Sequence, residues 1–546
     1  MTSAIRDPVP DDAPGAQEIG FAIPQRYNAS EILFAEPAHA DRIALRGPAG
    51  TLRYRDLRAL ASRAGHALLS LGLGPSERVL LLLDDTPIHV AFVMGAIRAG
   101  LVPVLLNTLT PPDLLQFYLA DSDARAIVVD AAFVAQLTPE AVRGTRLEAA
   151  IVANARGDVE IPHVGRTLAA EAWIRDVPDR LDAADTHRDD MAFWMYSSGS
   201  TGRPKGIVHL QHDMAYTAAS YARHILKLAP DDVCFSVPKL FFAYGFGNGI
   251  TFPFSAGASS VLLPGRPEPR AVFDAIRTFR PTVFFGLPTL YTALAKAPEA
   301  AGADLSSLRL CISAAEVLSN EVASAWKALS GLDIVEGLGS TEMLHIYLSN
   351  TETARKPGSA GLRVPGYEVS LRDPSGREVG DGQEGILWVR GHSSAPCYWN
   401  RPDRTAETMR GDWIHTGDRF LRDPDGFHFF RGRADDLVKI SGQWVYPLEV
   451  ELCLAEHRAV REVAVIAFEL PDRRMTLKAV VAPADPAADV EALARELQDH
   501  VKRTLLPYKY PRIVEFVPEL PKTGTGKIDR QALLAQARGE PRPAPG

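Results

Sequence analysis

Cysteine is scarce: the 546 residues hold four, Cys234, Cys311, Cys397 and Cys453, with no CxxC spacing. That argues against a structural zinc site or a disulfide framework, and for buried thiols in a reducing cytoplasm. Long apolar runs are missing too; Val79–Leu83 and Leu101–Leu106 are strand-sized and too short to span a bilayer. The N-terminus is rich in Asp, Pro and Ala without the apolar core of a signal peptide, so residues 1–25 read as a flexible tail. Basic excess is also absent. A formal net charge of −8 excludes a sequence-independent nucleic-acid binder, which needs a basic face. No Walker loop is present: in Tyr196-Ser-Ser-Gly-Ser-Thr-Gly-Arg-Pro-Lys-Gly206 the lysine follows proline and precedes glycine, and Ile528 follows Lys527 in Pro521-Lys-Thr-Gly-Thr-Gly-Lys-Ile-Asp-Arg530.

What is present describes a globular protein, 46% apolar and 23% charged, too long for a single core. From about residue 40 to 360, short Val/Leu/Ile runs alternate with helical patterns: Val79–Leu83, Thr86–Ala99, Val102–Leu106, Ile127–Val129, Ala150–Val152, Ser260–Leu263, Thr282–Phe285 and Leu308–Ile312. Strands of that composition separated by helices are covered on both faces, so the expected fold is layered α/β with mostly parallel pairing. Beyond Gly361, Val369–Arg372, Gly385–Arg390 and Phe427–Arg431 read as antiparallel strands with Asp-Pro-Ser-Gly and Asp-Pro-Asp-Gly turns, a small β-barrel-like part. A second alternation follows, with helices at Pro447–Glu456 and Val490–Thr504 and strands at Glu462–Phe468 and Lys478–Val481. The expected division is a tail over 1–25, a nucleotide- and substrate-binding domain over 26–433, and a smaller mobile α+β domain over 434–546.

Five segments carry chemistry. In the first, glycines let backbone approach a polyphosphate, while Ser197, Ser198, Ser200, Thr201 and Lys205 offer donors. The second holds Lys527 on a Gly-Thr-Gly loop. In the third, Glu336-Gly-Leu-Gly-Ser-Thr-Glu342, the glycines suit a tight loop under a base or ribose, and Thr-Glu suits phosphate and a hard divalent cation, though Ser-Thr-Glu alone could equally cap a helix. The fourth is Trp413-Ile-His-Thr-Gly-Asp418 with Gly432-Arg433, a carboxylate and a cation suited to a ribose diol, or a turn Asp beside a surface Arg. In the fifth, Lys439-Ile-Ser-Gly-Gln443, Gly442 leaves room for a narrow ligand arm. Phe241, Phe242, Tyr244 and Phe246 offer a flat apolar lining for a small planar acid, although the first two also suit a core. Gly245-Phe-Gly-Asn-Gly249 is not a dinucleotide fingerprint, because Ile250 stands where the last glycine belongs.

In order and approximate spacing these segments resemble the adenylate-forming superfamily of acyl-CoA synthetases, luciferases and adenylation domains, over about residues 30–535. The resemblance implies that Ser197, Ser198, Gly199, Ser200, Thr201, Gly202, Lys205 and Thr341 hold ATP phosphates and that Glu342 binds Mg2+. It implies that Ala314, Ala315, Glu316, Glu336, Gly337, Leu338 and Gly339 border the adenine, and that Asp418 and Arg433 hold the ribose. Lys527 would be the catalytic lysine of adenylation, Asp435 the hinge, and Gly442 the lining of a coenzyme A tunnel. Leu338 departs from the aromatic residue that many members carry there. The stretches 238–248 and 339–350 are similar to benzoate-CoA ligases, which places Ala243, Tyr244, Gly245, His345 and Ile346 around an aryl acid. The implied activity converts benzoate, or a 2-amino or hydroxy analogue, to its CoA thioester through an acyl adenylate. Transfer to a carrier-protein thiol and a non-catalytic nucleotide-binding protein are the alternatives. The implied partners are a small aromatic acid, ATP and CoA; a homodimer and an acetyltransferase–deacetylase pair acting on Lys527 are the protein partners that fit, with no nucleic acid and no membrane.

Overall fold

A computed structural model describes residues 13–539, apart from 156, 158, 198–203, 317, 435–437, 441–442, 471–474 and 523–527, and apart from the side chains of 439, 443, 444 and 507. The large N-terminal domain carries two mainly parallel sheets. One has seven strands in the spatial order Arg166–Ala169, Ala149–Ala153, Ala126–Asp130, Arg78–Leu82, Val102–Leu105, Met191–Ser197 and Lys205–Leu210, the last pair antiparallel. Every residue of Ala126–Asp130 and Ala149–Ala153 is buried, as continuous apolar runs require when helices cover both faces.

The other has nine strands, running from Leu362–Arg363 and Ile346–Ser349 through Ile334–Gly339, Leu310–Ala314, Val283–Gly286, Val233–Ser236 and Ser259–Val261 to Ile43–Gly47 and Gly50–Arg53. Its interior pairs are parallel, while Ile346–Ser349 turns back antiparallel on Ile334–Gly339. Each sheet thus carries a reversed strand near one end, Lys205–Leu210 in the first and Ile346–Ser349 in the second.

A third, antiparallel sheet comprises Glu368–Arg372, Glu384–Arg390, Met409–Arg410, Trp413–Arg422 and His428–Arg433. The smaller C-terminal domain pairs Val460–Glu469 with Met475–Pro483 antiparallel, and the latter with Ile513–Phe516 parallel. Helices Pro447–Ala455 and Val490–Thr504 pack on it through a core of its own that includes Val450, Leu454, Val465, Leu497 and Val501.

The strands and helices expected from periodicity are found to within a few residues. Part of the segment expected as a tail carries packed residues, with Ala13, Ala16 and Ile19 buried. Pro14–Glu18 is a helical turn with Ala16 buried, and Glu18 forms a bidentate pair with Arg363 at 2.7 and 2.9 Å. All four cysteines are free and buried. Among the described residues no helix is long and apolar enough to cross a membrane.

Candidate active site

The hydroxyl-rich segment connects two antiparallel strands. Met191–Ser197 enters and Lys205–Leu210 leaves, with Ser197 paired to Lys205 and Tyr196 to Gly206. Ser198, Gly199, Ser200, Thr201 and Gly202 lie outside the described residues, as do Lys527, Asp435 and Gly442. Lys205 is half-buried, and burial lowers its pKa while the nearby Glu342 carboxylate works against that shift.

Gly337 and Gly339 form no tight loop; they belong to the strand Ile334–Gly339. Their missing side chains admit the returning strand. A Cβ on Gly337 would lie 2.8 Å from Ile346 Cδ1, and one on Gly339 would lie 2.4 Å from the His345 carbonyl oxygen. Ala314 is the register partner of Gly337, which brings the two segments expected to border the adenine side by side. Burial pushes the Glu336 carboxyl up to about 7. The chain then makes a 3-10 turn over Thr341–Met343, and the Ser340 hydroxyl accepts from Met343 N, so the capping alternative holds at the same time.

Two interactions lock this turn to the phosphate hairpin. His209 Nε2 donates to the Thr341 carbonyl at 2.9 Å, and its Nδ1 meets Asp213 Oδ2 at 2.8 Å, with both side chains fully buried. The second is the segment 391–399, which no sequence signal had flagged. Ala395 N donates to the Glu342 carbonyl at 2.7 Å, Ser393 Oγ to the Met343 carbonyl at 2.9 Å, and Trp399 N to the Gly206 carbonyl at 2.7 Å. Between them the Tyr398 hydroxyl donates to Glu342 Oε1 at 2.7 Å.

One Glu342 oxygen is thereby held while the other stays available to a hard cation. Among the described residues no cluster of three or more His, Cys, Asp or Glu forms a protein cage. A single fixed carboxylate fits magnesium, which keeps waters and takes most of its remaining ligands from phosphate oxygens.

Asp418 and Arg433 face each other as register partners in the third sheet, with Arg433 Nη1 3.2 Å from Asp418 Oδ1. The sequence left open a turn Asp with an unrelated Arg; the two are in fact paired.

The aryl-side residues start a helix, Ala243–Phe246, that widens into a π-helical turn at Gly247–Thr251. Such turns re-aim side chains and recur at functional sites. Gly245 is forced by a close approach, since a Cβ would lie 2.0 Å from the Lys239 carbonyl oxygen. His345 is buried in an aromatic cage, its ring 4.4 Å from Phe252, 5.1 Å from Tyr221 and 5.6 Å from Tyr244. Its Nε2 meets Asn248 Oδ1 at 3.2 Å, and burial lowers its pKa to about 3, so the ring is neutral. Ile346 lies against Gly337, so a residue expected beside the aryl acid touches one expected beside the adenine. Phe241 packs in the main core and Phe242 against it. Tyr221, Asn248 and Phe252 were missed by sequence reasoning because they sit in helical stretches indistinguishable from core.

Comparison with known proteins decides the family. The profile described as "AMP-binding enzyme" matches residues 34–399, and "AMP-binding enzyme C-terminal domain" matches residues 449–527. The chain belongs to the AMP-binding enzyme family. It is 42% identical over 517 residues to the benzoate–CoA ligase of Thauera aromatica, covering 94% of this chain and 96% of that protein. Among solved members, the anthranilate CoA ligase AuaEII in complex with anthranoyl-AMP superposes with a TM-score of 0.88 at 39% identity, covering 94% of this chain and 98% of that one. A benzoate CoA ligase from Burkholderia xenovorans gives 0.85 at 40% identity, covering 93% and 99%.

Proposed function

We propose that this AMP-binding enzyme is an ATP-dependent acid–CoA ligase that converts benzoate or a close analogue to its CoA thioester, releasing pyrophosphate and AMP. The observation that carries the reading is near full-length similarity to a benzoate–CoA ligase, together with a buried aromatic cage around a neutral His345. A flat ring fits such a lining, and a charged α-ammonium group finds no acidic anchor in Pro238–Asn248. Similarity to a ligase that holds anthranoyl-AMP favours 2-aminobenzoate as the second candidate.

The substrate carboxylate is ionised near neutral pH and attacks the α-phosphorus of ATP without a general base. Catalysis is then positioning and charge stabilisation. Lys205 and the hairpin tip hold phosphate oxygens, Thr341 adds a hydroxyl, and Asp418 with Arg433 fixes the ribose. Magnesium on Glu342 would neutralise charge on the departing pyrophosphate. Lys527 brings a cation to the same oxygens, and its acetylation would remove that charge and silence adenylation. The C-terminal domain then turns about Asp435, withdraws Lys527 and admits the thiol past Gly442.

Pyrophosphate release from a panel of aryl and aliphatic acids, with and without CoA, tests the reading. Benzoate and small monosubstituted benzoates should far exceed acetate and hexadecanoate. A higher kcat/KM for hexadecanoate than for benzoate overturns the substrate class.

A further inference from the structure

Tyr398 touches two groups of opposite charge. Its hydroxyl donates to Glu342 Oε1 at 2.7 Å, and Lys205 Nζ stands 4.1 Å from the centroid of its ring. The ring is 1% exposed. Its backbone is held on both sides, by Thr405 Oγ1 accepting from Tyr398 N at 3.0 Å and by Trp399 N donating to Gly206 O at 2.7 Å. Among the described residues Lys205 and Glu342 form no direct ion pair, although the carboxylate acts on the lysine through space. In a partly buried setting the attraction between a free ammonium and a free carboxylate is stronger than in bulk water. If they paired directly, one contact would consume both a phosphate donor and the cation's carboxylate.

We propose that Tyr398 is a positioning residue for adenylate formation: its ring face keeps the Lys205 ammonium off Glu342, and its hydroxyl holds one carboxylate oxygen so that the other faces the metal–triphosphate. The ring gives Lys205 a favourable cation–π seat in place of the ion pair. The assignment rests on the ATP-using reaction proposed above, and on no feature of the aryl pocket.

Tyr398→Phe and Tyr398→Leu in the full chain separate the two roles. The probes are Mn2+ with the uncleavable analogue α,β-methylene-ATP, measured by electron paramagnetic resonance, and the titration of the Lys205 amine followed by NMR. Each half-reaction is also measured in a single turnover. Tyr398→Phe should weaken Mn2+ binding in the ternary complex roughly tenfold, as expected for a lost hydrogen bond to a charged group. It should leave the Lys205 titration as in the parent and preserve thioester formation from supplied benzoyl adenylate. Tyr398→Leu should in addition raise the Lys205 titration midpoint, because the ammonium then pairs with Glu342. Unchanged Mn2+ affinity in Tyr398→Phe, an unchanged midpoint in Tyr398→Leu, or a parallel loss of both half-reactions in Tyr398→Phe overturns the proposal. Failure of the parent enzyme to adenylate any aryl acid would sink the functional reading instead, and the Mn2+ measurement would still decide the role of Tyr398.

Discussion

His209 on the phosphate hairpin donates to the carbonyl of Thr341 at 2.9 Å, across 132 positions of sequence. The bond joins the edge strand Lys205–Leu210 of one sheet to the turn between Ile334–Gly339 and Ile346–Ser349 of the other. Asp213 Oδ2 holds the opposite ring nitrogen and also accepts from Leu210 N at 3.0 Å, so the imidazole cannot swing away. The strand carrying Lys205 and the turn carrying Glu342 are therefore tied together by buried hydrogen bonds.

His209→Ala should destabilise the fold by about 1–3 kcal/mol, the scale for leaving buried polar partners unsatisfied. It should also raise the KM for ATP, while thioester formation from supplied adenylate falls far less. His209→Gln, able to keep one of the two bonds, should lie between. Denaturant unfolding and pyrophosphate release measure both effects, and an unaltered KM for ATP in the alanine variant would remove His209 from this positioning role.

Stability should carry an alkaline limb from His212. Burial opposes its charge, but the hydrogen bond to Asp189, the charge of Asp213 and the carbonyls of Arg188 and His392 outweigh burial and lift the pKa from 6.5 to about 9. A raised folded-state pKa contributes stability that is complete below about pH 6.5 and is lost as pH rises through about 9. His212→Gln should flatten that limb in denaturation curves taken between those values. An equally steep limb in the variant would assign it to other groups.

Ala243→Leu should penalise ring-substituted benzoates more than benzoate, because the added bulk enters the aryl side. Gly247→Ala should raise KM for all aryl acids, since its Cβ would fall 2.4 Å from His345 Cδ2. With His345 neutral down to about pH 3, KM for benzoate should show no imidazole titration between about pH 5 and 8. Equal losses across the acid panel for Ala243→Leu would place that side chain away from the ring.

Lys527→Ala should lose adenylate formation by a few kcal/mol, roughly the effect of one charge-stabilising donor, yet still join supplied aryl adenylate to CoA. Gly442→Leu should do the reverse by obstructing the thiol arm. Single-turnover assays of both half-reactions, with circular dichroism as the folding control, test the pair. Proportionate loss of both steps in both folded variants would argue against two conformations.

Local chemistry was enough to reveal much of this protein. The apolar run Ile127–Val129 was legible as a strand and lies within Ala126–Asp130, and a loop rich in Gly, Ser and Thr with Lys205 suits phosphate oxygens. The Gly337 and Gly339 pair was legible as special but not as to why. Glycine signals close approach or an unusual turn alike, and only the returning strand at Ile346 made it the former.

By itself the sequence determined the α/β alternation and laid out the hydroxyl- and glycine-rich loop, the Thr341–Glu342 pair and the aromatic run of 241–246, because each is written in contiguous residues. Tertiary structure alone decided which distant groups become one device. Tyr398 reached Glu342 and Lys205, His209 reached Thr341, and Tyr221 and Phe252 closed around His345. A tyrosine among core tyrosines carries no mark of its partner. Its role exists only where two sheet edges meet, because charge separation and burial belong to the assembled space between strands and not to any one of them.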